Sequence, residues 1–344
     1  MTRPGYPPTT RFPAMRPRRL RQAEWARRLA REITLSTDDL VRPLFVSDSA
    51  KGRQPIDALP GQHRSDIASL IEDARRSFEL DIPAIALFPH IREDLKTVDG
   101  AEAANPDGLV QTAVRELKSA LPDLAVIVDV ALDPYTDHGH DGILDRDTIL
   151  NDATADALVQ VALSLVEAGA DIIAPSDMMD GRVGRIRQAL EEHRHSERHL
   201  NMPILSYAAK YASGFYGPYR DAIGTSAALR GDKRTYQMDP MRRDEALAEV
   251  GLDLEEGADM VMVKPGLPYL DIIGDIRATF GVPTFAFQVS GEYAMIRAAA
   301  ERGMIDEQRV MMETMMSFKR AGASGVFTYF ADDIAEALQS GYPV

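Results

Sequence analysis

The chain has 344 residues, 45% of them hydrophobic and 27% charged, the balance of an ordinary soluble globular protein. No apolar run reaches the roughly 18 residues of a membrane span, and the opening residues lack a signal-peptide pattern, so no membrane association is expected. There is no cysteine, which excludes disulfides, thiolate zinc sites and cysteine nucleophiles and fits a cytoplasmic location.

Charge is unevenly spread. Residues 1–31 carry nine arginines against one acid, Glu24, a surplus of eight positive charges that leaves −22 on the rest of a chain with net charge −14. A basic arm beside an acidic body is expected to lie on an acidic surface, its own or a neighbouring subunit's. The body is too acidic to be a nucleic-acid binder.

Residues 1–17 are rich in proline and arginine without periodicity and read as an extended arm. A helix is expected over about 20–32, with Leu20, Trp25 and Leu29 on one side and Trp25 as an anchor on a partner surface. The arm is bounded at residue 35, and the catalytic body is expected over 36–344. Eight short apolar runs follow: 41–46, 82–88, 124–132, 170–176, 203–209, 258–264, 283–289 and 325–330. Helical periodicity falls between them, at 66–79, 107–121, 152–168, 182–193, 243–256, 268–280, 291–302 with 306–320, and 331–339. Short β-branched runs alternating with helices specify parallel strands joined by crossovers. Eight such units are the count of a (β/α)8 TIM barrel, whose chemistry sits at the C-terminal strand ends. No GxGxxG follows the first strand, which disfavours the doubly wound alternative.

The residues toward the end of each run or just past it are therefore the candidate site: Asp129 in the third and Asp133 just past it, Ser176 ending the fourth, Lys210 just past the fifth, Lys264 ending the sixth, Ser290 just past the seventh and Tyr329 near the end of the eighth. Two lysines at one barrel mouth suggest Schiff-base chemistry, since burial and a second amine lower an amine's pKa until it can attack a ketone. The segment 211–240 is long for a βα connection and reads as a lid. Its Arg220 and Lys233, with Gln237, would anchor an acid tail, and Ser290 and Tyr329 a second one. Asp129 and Asp133 would serve as acid/base groups or hold a substrate ammonium.

These residues stand in motifs: DVALDPYTDHGHDG (129–142), APSDMMDGR (174–182), YAAKYASGFYGPYRDA (207–222), YQMDP (236–240), MVKPGLPYLD (262–271), QVSGEYAM (288–295) and TYFA (328–331). In order and spacing the string resembles the 5-aminolevulinate dehydratase family, from about residue 10 to the end. The resemblance implies condensation of two 5-aminolevulinate molecules to porphobilinogen in tetrapyrrole (haem, chlorophyll, cobalamin) synthesis. It also implies a homo-octamer assembled through N-terminal arms. By position, Lys264 would be the Schiff-base lysine of one substrate site (P) and Lys210 that of the other (A). Ser290 and Tyr329 would hold the P-site carboxylate, and Arg220, Lys233 and Gln237 the A-site carboxylate, with Asp129 and Ser176 near the amino group and Asp141 also among the substrate-binding residues.

Zinc-type members of the family place three cysteines where this chain has Ala131, Asp133 and Asp141. Hard carboxylates disfavour zinc relative to magnesium, so no active-site zinc is expected. The resemblance to the aspartate-rich branch implies magnesium (Mg2+) at an allosteric site between subunits, with Glu249 as ligand and Asp180 in support. Three other readings are weighed against this one. His138 and His140 could announce a binuclear metallohydrolase, but they follow the wrong strand and are better read as bonding within their loop. A class I aldolase shares the barrel and the Schiff base without needing a second lysine. A non-catalytic protein binding RNA or lipid through the basic arm is the third.

Overall fold

The computed structural model describes residues 11–193, 196–225, 228–229 and 231–342. Each apolar run is a strand: β1 Leu40–Ser47, β2 Ala84–His90, β3 Ala125–Val130, β4 Ile172–Pro175, β5 Leu205–Lys210, β6 Met260–Lys264, β7 Thr284–Gln288 and β8 Gly325–Thr328. Their positions are mostly buried, because a parallel strand is covered on both faces and has no solvent side to make polar. The hydrogen-bonded order is β4-β3-β2-β1-β8-β7-β6-β5, and a parallel bridge between Ile173 and Ile204 joins the two ends. The result is the (β/α)8 barrel.

Among the described residues of this unit, ten helices longer than four residues position the strands: α1 Ile67–Glu79, α2 Leu109–Ala120, α3 Asn151–Ala168, α4 Arg182–Glu192, α5 Gly217–Ala222, α6 Asp244–Glu255, α7 Leu270–Phe280, α8 Ser290–Glu301, α9 Glu307–Ala321 and α10 Ala331–Gln339. All but α5 coincide with the expected helices, whose bounds hold to within two residues. α1 begins where the Asp66 carboxylate accepts from Ser69 N–H at 2.9 Å, and α9 where Asp306 does the same for Arg309. α3 and α9 stop at Gly169 and Gly322, whose φ of 109° and 110° a side chain would oppose.

Two features departed from expectation. Hairpin strands at Arg53–Pro55 with His63–Ser65, and at Leu144–Asp145 with Thr148–Ile149, carry too few apolar residues to have been read as strands. The arm helix is shorter than 20–32: a 3-10 turn over Pro17–Arg21 precedes an α-helix of six residues, Glu24–Leu29. Leu20, Trp25 and Leu29 are exposed, at 60%, 68% and 81%. Without a partner for that face a short helix is marginal and stops early. Met1–Thr34 and Leu35–Val344 form separate units, and the part of the expected extended arm in residues 1–10 lies outside the described residues.

Candidate active site

β5 and β6 are parallel neighbours with Met260 opposite Leu205 and Val261 opposite Ser206. Two steps along β6, Val263 lies opposite Ala209, three steps along β5. The extra residue is a bulge, and it brings Lys264 directly opposite Lys210 at the C-terminal ends. Both lysines are buried.

Lys264 sits in an aromatic sleeve. Its Nζ lies 4.4 Å from the Phe287 ring centroid, 4.9 Å from Tyr207 and 5.1 Å from Tyr219, with Tyr216 and Phe88 beyond at 5.8 and 6.0 Å. Ring faces attract an ammonium, but removal from water opposes the charge more strongly. Burial, assisted by the Lys210 charge and opposed by Asp129, lowers Lys264 from 10.5 to about 7. Burial likewise pushes Asp129 up to about 7 against the pull of the two lysines and of the nearby Ser176 side chain. Its Oδ1 is buried without a partner among the described residues.

Lys210 is held differently. Its Nζ donates to Asp141 Oδ1 at 3.0 Å and to the Ser176 carbonyl at 2.5 Å. Asp141 Oδ2 accepts from Lys233 at 2.5 Å and from the Tyr236 hydroxyl at 3.0 Å, and Lys233 also donates to Asp133 at 3.2 Å. Burial alone would raise the Asp141 carboxyl, but the Lys210 and Lys233 charges outweigh it and hold it well below the usual carboxylate range. Burial alone would lower Lys233, and Asp133 and Asp141 reverse that too. One lysine is thus poised to lose its proton, and the other is held on carboxylate and carbonyl oxygens.

The lid closes the mouth. Asp133, Ser176, Lys210, Arg220, Lys233, Gln237 and Lys264 share one cavity with Tyr216 and Tyr219, and its free space is about 20 Å³. That is room for a single water, so a larger ligand requires the lining residues to move apart. Arg220 forms no ion pair among the described residues, whereas Lys233 already has two. Tyr329 stacks on Phe45 with its buried hydroxyl unpartnered among the described residues, as is Gln237 Oε1. Ser290 Oγ accepts from Tyr219 N–H at 2.9 Å and so docks the lid.

Some of the machinery escaped the sequence reading. Tyr207 and Phe287 lie inside strand runs and Tyr219 in the lid, and none was singled out, because a sleeve around an amine and a packing position have the same apolar signature. Tyr236 also escaped: its hydroxyl bridges Asp141 and, at 3.0 Å, His140 Nδ1. His138 Nε2 lies 3.1 Å from Val98 O and its Nδ1 accepts from His140 N–H, so both histidines hydrogen-bond around their loop.

Residues 14–337 match the family model of delta-aminolevulinic acid dehydratase. The chain belongs to that family. It is 55% identical over 327 residues to the delta-aminolevulinic acid dehydratase of Bradyrhizobium diazoefficiens, spanning 95% of this chain and 92% of the relative. The Rhodobacter capsulatus dehydratase is 47% identical over 334 residues, 96% and 98% of the two chains. The Toxoplasma gondii delta-aminolevulinic acid dehydratase (porphobilinogen synthase), solved with its product porphobilinogen, superposes with a TM-score of 0.91 at 45% identity, covering 94% of this chain and 91% of that one. This dehydratase is accordingly an enzyme, a lyase that condenses two 5-aminolevulinate molecules to porphobilinogen in tetrapyrrole synthesis. The aldolase and binding-protein readings fall away.

Glu249 is not the exposed helix residue its position on α6 suggests. It is half-buried in the wall of a cleft of about 680 Å³ that also exposes Asp147, Asp180, Asp239 and Glu245. Burial raises its carboxyl, Arg182 opposes, and Asp253, Asp180 and Glu245 raise it further.

Proposed function

We propose that the condensation runs through Schiff bases on Lys264 and Lys210. The observation that carries this is the pairing of the two amines across one bulged strand pair, with Lys264 desolvated by aromatic rings. The neutral Lys264 amine attacks the ketone carbon of the P-site substrate. Loss of water from the resulting carbinolamine leaves the imine, and Asp129, raised to about 7, takes and returns the protons. Lys210 binds the A-site ketone in the same way once it gives up its bonds to Asp141 and the Ser176 carbonyl.

Among the described residues Arg220 is the lid cation in no ion pair, and it takes the A-site carboxylate with Gln237. Lys233 joins them as its contacts to Asp133 and Asp141 exchange for substrate. The buried Tyr329 hydroxyl and Ser290 take the P-site carboxylate, and Ser176 and Asp129 the amino group. A buried polar atom without a partner is costly, so these positions favour a polar ligand. Formation of porphobilinogen from 5-aminolevulinate by the purified chain, lost on substituting Lys264, tests the scheme.

Magnesium fits the cleft at Glu249 rather than the barrel mouth. No three carboxylate or histidine side chains converge there among the described residues, but magnesium keeps most of its waters and takes one or two protein carboxylates. Glu249 would hold it, with Asp180 bonding its water, and the ion would supply charge that relieves the crowded acids. The exposed Trp25 and Leu29 and the basic charge of the arm suit contacts between copies, and we assign residues 1–35 to assembly of a homo-octamer. A cytoplasmic location accords with the lack of cysteine, and no helix among the described residues is long and apolar enough to cross a membrane.

A further inference from the structure

Glu292 has no part in the scheme above, yet it is among the most deeply buried acids of the barrel, 1% exposed at the start of α8. Burial opposes its charge, and among the described residues the backbone groups of Val289, Leu267 and Gly266 support it. Oε2 accepts from Val289 N–H and Oε1 from Leu267 N–H, both at 2.6 Å. Val289 precedes Ser290 in the loop after β7. Leu267 lies three residues past Lys264 in the loop after β6. One carboxylate therefore joins the two loops that flank the amine.

Both loops are tightly seated. A Cβ on Gly266 would lie 2.6 Å from the Phe318 ring and 3.0 Å from the Phe287 carbonyl. A Cβ on Gly291 would lie 2.5 Å from the carbonyl of Phe215 in the lid. The same turn receives Tyr219 N–H on Ser290, and the Tyr219 ring covers Lys264. Burying a carboxylate with no counter-cation is expensive, and burial does push this one up to about 7. A side chain that only filled space there would be apolar.

We propose that Glu292 is a positioning residue for Lys264: its carboxylate ties the loop after β6 to the turn of Ser290 and so fixes the amine against the ketone it attacks. The proposal rests on the Schiff-base reading of Lys264. It assigns Glu292 no contact with substrate.

Glu292→Gln and Glu292→Asp test it. The amide can satisfy one N–H but turns its own N–H₂ toward the other. The aspartate keeps the charge but is one methylene too short to span both loops. Each protein is saturated with levulinate, a keto acid lacking the amino group, and treated with borohydride, and the adduct on Lys264 is quantified per folded molecule. Both variants are expected to lose about tenfold or more of the Lys264 adduct, and kcat with 5-aminolevulinate to fall about as far while KM stays within about threefold. Adduct at the wild-type level, or reduced only in proportion to the folded fraction, would overturn the proposal. So would a variant pair that does not fold at all, which would assign Glu292 to stability alone. Absence of any Lys264 adduct in the wild type would instead refute the Schiff-base reading beneath it.

Discussion

Lys210 and Lys264 are register partners on neighbouring parallel strands, and they are partners only because β5 carries one residue more than β6 between Ser206 and Ala209. Without that bulge Lys264 would face Ala209, and successive residues of a strand point to opposite faces of a sheet. The bulge thus places two amines on one side of the sheet, close enough for the charge of one to depress the pKa of the other. Two amines at one barrel mouth suit a reaction that joins two copies of one ketone substrate.

The two lysines are not equivalent, and their removal should differ. Lys264→Ala is expected to abolish porphobilinogen formation, since Lys264 is the amine proposed to bind the P-site ketone. Lys210→Ala is expected to be nearly inactive while still forming a reducible adduct on Lys264. Steady-state assays with borohydride trapping check both, and substantial turnover by Lys264→Ala would contradict the assignment.

The pH dependence follows from the signs. Lys264 is held at about 7 and reacts as the free amine, so imine formation with levulinate should rise as pH climbs through about 7. Asp129 favours the charged amine, so Asp129→Asn should move that limb to lower pH. Lys210 disfavours it, so Lys210→Met should move the limb to higher pH. Trapping rates measured across pH 5–9 on the three proteins check the order, which needs no turnover.

Barrel stability should depend on a second buried charge cluster. Arg182, 2% exposed at the start of α4, donates to Asp253 on α6 at 2.8 Å and to Ser206 on β5 at 3.1 Å, with Asp177 at 3.5 Å. Burial pushes Asp177 up to about 6 despite Arg182. Arg182→Ala strands the two aspartates and should cost about 3–5 kcal/mol, read as a lower urea midpoint at neutral pH. Because protonation relieves a stranded aspartate, the deficit should shrink as pH falls toward 5.

Magnesium should act away from the chemistry. Chelation is expected to lower activity without changing the Lys264 adduct, and Glu249→Gln should remove the response to added magnesium, read directly by calorimetric titration of the ion. Unaltered magnesium binding by Glu249→Gln would place the ion elsewhere.

The parallel strands and their helices were legible because burial on both faces leaves an unmistakable apolar run, broken where a strand reaches the mouth. That break is also what exposed Lys210, Lys264 and Ser176 as candidates, whereas Asp129 is the one charged residue inside its run. The bulge was not legible: Tyr207 and Ala208 continue an apolar run whether or not the register slips. Nor was Glu292, since a glutamate opening a helix is ordinarily a solvated first-turn acid. The arm helix was overestimated because Leu20, Trp25 and Leu29 recur at helical spacing, but nothing in a single unit rewards that face with burial.

The most direct test of the account is borohydride reduction of the purified enzyme in the presence of 5-aminolevulinate, followed by peptide mapping, with an unreduced sample assayed for porphobilinogen. Product is expected in the unreduced sample and a substrate-sized adduct on Lys264 in the reduced one. Product formed with neither Lys264 nor Lys210 modified would contradict it.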